Sequence, residues 1–360
     1  MSEINTSSIP LKSKPHFEIL DGLRGIAAIS VVIFHFMEIA IPDYSKSFIS
    51  HAYLAVDFFF CLSGFVIAYA YDQRLEKIGV IKFLQLRLIR LHPLVIIGSV
   101  IGLLVFVFDP FNDLFQLYSG KTLLLFLTSC FMIPYPLVPE RYFNLFHLNP
   151  PTWSLFWEYI ANIIYALILV RLTKKMLWLF TVLAAIALYY EAHRSGFLGL
   201  GFGGDNVIAG GIRVGFSFLL GILVYRSNWI IKSKLGFLPI GLGLVLVFMI
   251  PFSEKMNSVV DPTIVVFLFP VLLALGAGAR LKPELKSICK FSGDISYPLY
   301  MIHYPFIWLF MSWVEVTKPL IGQMAPVIAG GVLLLIAFAY IIFKWVDIPI
   351  RSFLKLKMNK

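Results

Sequence analysis

Apolar residues run through this chain in long blocks, separated by short clusters of charged residues, proline and glycine, from Leu20 almost to the C-terminus. The hydrocarbon core of a bilayer takes roughly 20 apolar residues per helical crossing. Blocks of that size predict helical spans at 21–41, 53–71, 91–109, 153–171, 176–191, 207–225, 235–252, 263–279, 297–314 and 323–345. A further run, 122–134, is short for a crossing and reads as a re-entrant or buried half-helix. The expected fold is therefore all-α, a polytopic transmembrane bundle of about ten spans. Residues 1–19 form a polar N-terminal tail, 20–346 the membrane domain and 347–360 a basic tail. The N-terminal tail lacks the apolar run and small-residue cleavage site of a secretory signal, so it is expected to be retained.

Composition agrees with this pattern. The chain is 59% hydrophobic and only 14% charged, with a mean hydropathy of +0.85. A net charge of +10 raises the question of nucleic acid. In a polytopic protein the commoner cause is basic residues gathered in cytoplasmic loops. With ten spans and both termini in the cytoplasm, most of the 30 Lys and Arg residues fall on that side, in stretches such as 74–90, 226–234 and 280–290. A nucleic-acid partner is not expected; the bilayer is. Cys61, Cys130 and Cys289 have unrelated spacings, which predicts neither a disulfide framework nor a metal site.

Ionisable groups inside spans are costly, and each is a functional candidate by default. They are Arg24 and His35 in the first span, Asp57 at the start of the second, Glu158 in the fourth, Arg213 in the sixth and His303 in the ninth. Arg24 and His35 lie about 16 Å apart along a helix, on one face but at different depths. A neutral histidine in such a setting can take a proton from a hydroxyl, and a neighbouring carboxylate can orient it.

The segment LDGLRGIAAISVVIFHF, 20–36, resembles the first span of the acyltransferase family 3 membrane proteins, in which an arginine is followed by ten residues and a histidine. AVDFFFCLSGFVIAY (55–69), RLIRLHP (87–93), PTWSLFWEY (151–159), ISYPLYMIHYPF (295–306) and VDIPIRSF (346–353) resemble the family's later motifs in order. Departures are Ala55 for the more usual glycine, His92 for an aromatic and Asp347 for a glutamate. The family O-acylates envelope glycans from the bacterial cytoplasmic membrane. Some members carry an appended hydrolase-like domain; this chain is expected to be the stand-alone form.

The resemblance implies an acyl-coenzyme A co-substrate, most often acetyl, with no permanently bound cofactor, and a glycan or glycolipid acceptor. It makes His35 the expected base. Glu158, with Asp57 as the alternative, is expected to orient the imidazole. Arg87 and Arg90 are the expected partners of the carrier's phosphates, the pantetheine arm reaching from there toward His35, and Arg24 is expected either to hold a phosphate with them or to pair with a carboxylate. Trp153 and Ser154 are expected at the outer mouth, with His303 positioning the acceptor or acting as a second acid. Ser63 is the candidate nucleophile of a two-step route, and direct transfer is favoured over it. A transporter or flippase, or a scaffold that has lost catalysis, is the competing reading. Acceptor identity, acyl length and oligomeric state stay open.

Overall fold

The computed structural model describes residues 16–358. They form a bundle of helices: α1 (Glu18–Ala40), α2 (Ala55–Tyr71), α3 (Val80–Phe108), α4 (Thr122–Cys130), α5 (Thr152–Leu167), α6 (Lys174–Ser195), α7 (Val207–Arg226), α8 (Phe237–Phe248), α9 (Asn257–Gly278), α10 (Lys286–Ile302), α11 (Tyr304–Thr317) and α12 (Ile321–Met358). Among the described residues the extended pairings are isolated bridges, Asn144 with Gly203 and Ser233 with Ala279. The first 15 residues of the tail read as 1–19, and the last two of the C-terminal tail, lie outside the described residues.

Among the described residues seven helical segments are long and apolar enough to cross a membrane: α1, α2 together with the turn that leads into it (Ala52–Tyr71), α3, α6, α7, α9 and α12. The other three segments read as spans are shorter or interrupted. They are α5 with 16 residues, α8 with 12, and the pair α10 and α11 with 17 and 14. The run at 122–134 is helical over nine residues only. At 1.5 Å per residue it is about 14 Å long, half of a hydrocarbon core of about 30 Å.

Helix ends depart from the apolar blocks in three places. α3 begins at Val80, well ahead of 91, so Arg87 and Arg90 sit on a helix that continues into the bundle. α10 begins at Lys286, inside the segment read as the loop 280–290. α12 passes through residue 347 without a break, wound as a π-helix over Phe343–Asp347. The reason is common to all three. Apolarity marks where a helix meets hydrocarbon, whereas backbone hydrogen bonding carries the helix on past that boundary.

Packing of α2 against α7 rests on two glycines. A Cβ on Gly64 would stand 2.1 Å from the Phe218 carbonyl oxygen, and one on Gly221 would stand 2.0 Å from that of Cys61. Each helix thus presents its glycine to the other's backbone, the small-residue contact that draws membrane helices together. Between α10 and α11 the helix is interrupted at His303. Pro305 has no N–H to offer the Met301 carbonyl, and Asn149 Nδ2 donates to that carbonyl instead, at 2.9 Å. A proline break is tolerated at membrane depth when a neighbour satisfies the freed group in this way.

Candidate functional site

Three cavities run in series through the bundle. The first, about 630 Å³, is lined by His35 and Glu38 near the C-terminal end of α1 and by a belt of aromatic rings. The second, about 240 Å³, holds Ser63, Arg87, Arg90 and Glu158. The third, about 720 Å³, lies at the N-terminal end of α1, between Arg24, Lys286, Asp347 and Arg351. Arg24, Arg90 and Tyr297 line both the second and the third, while Val56 and Tyr300 line both the first and the second.

His35 is placed by α1 with its side chain about one-fifth exposed. Its Nδ1 lies 2.7 Å from Glu38 Oε1. A carboxylate there accepts the Nδ1 proton, which leaves Nε2 as the basic nitrogen of the ring. The Tyr44 hydroxyl donates to the other Glu38 oxygen at 3.2 Å. Burial, and then the charge of Glu38, push the Tyr44 phenol up, so it remains a donor. His303 stacks on His35 with ring centroids 5.4 Å apart and planes 22° from parallel. It is fully buried; its Nδ1 donates to the Tyr300 carbonyl at 2.8 Å, and its Nε2 has no hydrogen-bond partner among the described residues.

Asp57 and Glu158 do not reach His35, contrary to the expectation that one of them orients it. Asp57 is buried against Arg213, whose Nη2 donates to its Oδ2 at 2.6 Å. The same guanidinium donates to the Leu200 and Tyr53 carbonyls, tying α2 and α7 to the segments that flank the first cavity. Glu158 accepts from Arg87 Nη2 at 2.8 Å and from the Ser63 hydroxyl at 2.9 Å, in the second cavity. The carboxylate with the right reach is Glu38, three residues along the same helix, where a side chain faces its neighbour one turn back. That His-x-x-Glu spacing is visible in the sequence, close to the C-terminal end of the expected first span.

The cationic side chains also separate. Arg87 is bound to Glu158. Arg24 donates to Ser296 Oγ and the Gly293 carbonyl and lies 3.4 Å from Asp21. Arg90 faces the second and third cavities with no hydrogen-bond or ion-pair partner among the described residues. Of the two residues expected at the mouth, Trp153 lines the first cavity. Ser154 lies deeper, lining the second, with its hydroxyl 2.8 Å from that of Tyr300. Tyr142 reaches the first cavity from the segment between α4 and α5, where it and Phe143 adopt left-handed backbone (φ 57° and 47°). Burial holds its phenol above the ordinary value.

A family profile described as an acyltransferase domain, that of acyltransferase family 3, matches residues 17–344. A curated relative, protein 2 in the picA locus of Rhizobium radiobacter, is 35% identical over 187 residues, covering 94% of that protein and 49% of this chain. No solved structure matches the chain.

Proposed function

Since this chain belongs to acyltransferase family 3 and is an integral, multi-pass membrane O-acyltransferase, we propose that it moves an acyl group, acetyl foremost, from acyl-coenzyme A to a hydroxyl of a carbohydrate-type envelope acceptor, with His35 as base. The observation that carries this reading is the His35–Glu38 hydrogen bond at 2.7 Å at the wall of the first cavity. It leaves His35 Nε2 free to take a proton.

The acceptor occupies the first cavity, whose belt of Tyr44, Tyr53, Trp153, Tyr300, Tyr304 and Trp308 offers flat faces and polar tips to a sugar ring. The donor enters by the third cavity, at the cytoplasmic face, with its phosphates on Arg90 and its pantetheine arm in the second. The acceptor hydroxyl gives its proton to His35 Nε2 and its oxygen adds to the thioester carbonyl. The C–S bond then breaks, and the departing thiolate takes the proton from the imidazolium, leaving ester and thiol. Glu38 holds the ring in the productive tautomer and stabilises its cation. Ser63 is engaged with Glu158, which supports direct transfer.

The test is acyl-group incorporation into envelope glycans, read by mass spectrometry, in bacterial cells lacking the protein, restored with wild type, or restored with His35→Ala at equal membrane abundance. An ester that requires wild type and disappears with His35→Ala is the expected result. Full restoration by His35→Ala would remove His35 as base. No protein-dependent ester would move the reading toward transport or scaffolding.

A further inference from the structure

Tyr300 stands at the junction of the first and second cavities, and Val56 is the one other described residue common to both linings. Its hydroxyl lies 2.8 Å from Ser154 Oγ. Ser154 has a single hydroxyl proton, and the Pro151 carbonyl, 2.9 Å away, accepts it. The proton between the two hydroxyls therefore belongs to Tyr300, which donates to Ser154. The ring stands edge-on to Phe59, which lines the second cavity, with centroids 5.6 Å apart. The Tyr300 backbone carbonyl meanwhile holds His303, the ring stacked behind His35. One side chain thus stands where the two cavities meet, and its own backbone supports the histidine pair beside the first.

We propose that the Tyr300–Ser154 hydrogen bond is a partition between the donor and acceptor compartments, and that turning Tyr300 off Ser154 joins them for transfer. The assignment of compartments rests on the reading given above; the partition itself rests on the geometry. Its chemical purpose is water exclusion. The lining of the first cavity includes the exposed Glu254, and water reaching the thioester would add to its carbonyl and break the C–S bond, releasing carboxylic acid and free thiol without product. A single hydrogen bond of ordinary length is strong enough to bias the ring toward closure and weak enough to exchange during turnover. Tyr300 is on this account a positioning residue: it governs when the thioester and the His35 cavity meet.

Accessibility tests this without any need for activity. In full-length protein with Cys61, Cys130 and Cys289 replaced by alanine, reconstituted in sealed vesicles, a small cationic methanethiosulfonate is applied from one side. Glu254→Cys, at the rim of the first cavity, identifies the side on which that cavity opens. From that side Phe59→Cys is expected to react slowly in the parent and on the order of tenfold faster with Tyr300→Ala. Ser154→Ala and Tyr300→Phe, which keep the ring and lose the hydrogen bond, are expected to give intermediate rates. Equal rates in all four backgrounds would overturn the partition. Ser154→Ala keeps the test decisive should Tyr300→Ala fail to fold. The second readout is the ratio of acyl-coenzyme A hydrolysis to transfer, which rises in Tyr300→Ala if the wall excludes water and stays constant if Tyr300 is merely structural. A labelling difference in a protein with neither activity would uphold the partition and overturn the donor and acceptor reading.

Discussion

Glu38 Oε1 lies 2.7 Å from His35 Nδ1, one helical turn further along α1. The pairing is local in sequence, so the helical spacing of α1 by itself brings the two side chains within reach, and it fixes which imidazole nitrogen is basic. General-base catalysis contributes about 10²–10⁴-fold, and an unoriented imidazole forfeits part of it. Glu38→Ala is expected to lower the turnover of purified protein by on the order of 10²-fold, with the donor KM unchanged. Glu38→Gln, whose amide oxygen can still accept the Nδ1 proton, should fall between Glu38→Ala and wild type. A Glu38→Ala rate equal to wild type would remove the carboxylate from the mechanism.

Arg90 makes no hydrogen bond or ion pair with the described residues, whereas Arg87 is held by Glu158. A hydrogen bond to a charged group is worth about 1.5–3 kcal/mol, so Arg90→Ala is expected to raise the KM for acyl-coenzyme A by roughly 10–100-fold. Arg90→Lys should recover part of this, because an ammonium supplies charge but not the guanidinium fork. Donor titrations of the purified variants decide the matter, and unchanged KM values would place the phosphates elsewhere.

Arg213 and Asp57 are both buried and paired at 2.6 Å. Removing one partner strands the other charge, at a cost of about 3–5 kcal/mol. Arg213→Met and Asp57→Leu should each lower the midpoint of thermal unfolding in detergent. The double variant, with no stranded charge, should unfold at a higher temperature than either single one. Additive losses would count against the pairing.

At the α2–α7 crossing, Gly221→Ala would drive a methyl group to 2.0 Å from the Cys61 carbonyl oxygen. Overpacking of this kind costs about 1–3 kcal/mol. A lowered unfolding midpoint is expected, together with reduced transfer, since α2 carries Ser63 and Val56 to the cavities. A variant as stable as wild type would mean that the helices separate at no cost.

Ser63 donates to Glu158 at 2.9 Å. If transfer is direct, protein quenched in acid during turnover should carry no acyl adduct by intact-mass measurement. Ser63→Ala should then keep transfer, losing at most the effect of a hydrogen bond to a carboxylate, about 1.5–3 kcal/mol or roughly 10–100-fold. An acylated Ser63 peptide would establish the two-step route.

Hydrophobic blocks in the sequence determined that this is an all-α membrane bundle, and ordered motifs from Arg24 to Phe306, within the matched 17–344, determined its family. These are properties of segments taken one at a time: hydrocarbon selects apolar runs, and a short motif keeps its residues together. Pairings between distant segments were not legible. Glu158 meets Arg87 across 71 positions and Asp57 meets Arg213 across 156, so tertiary packing alone decided that neither carboxylate serves His35. It likewise brought Tyr300 to Ser154 across 146 positions and divided the interior into cavities. Only Glu38 lay within reach of a sequence reading, because a separation of three on a helix is itself a statement about space. For the others, partner choice depends on which helix faces face each other, and in an apolar bundle the hydrophobic pattern is nearly the same on every face.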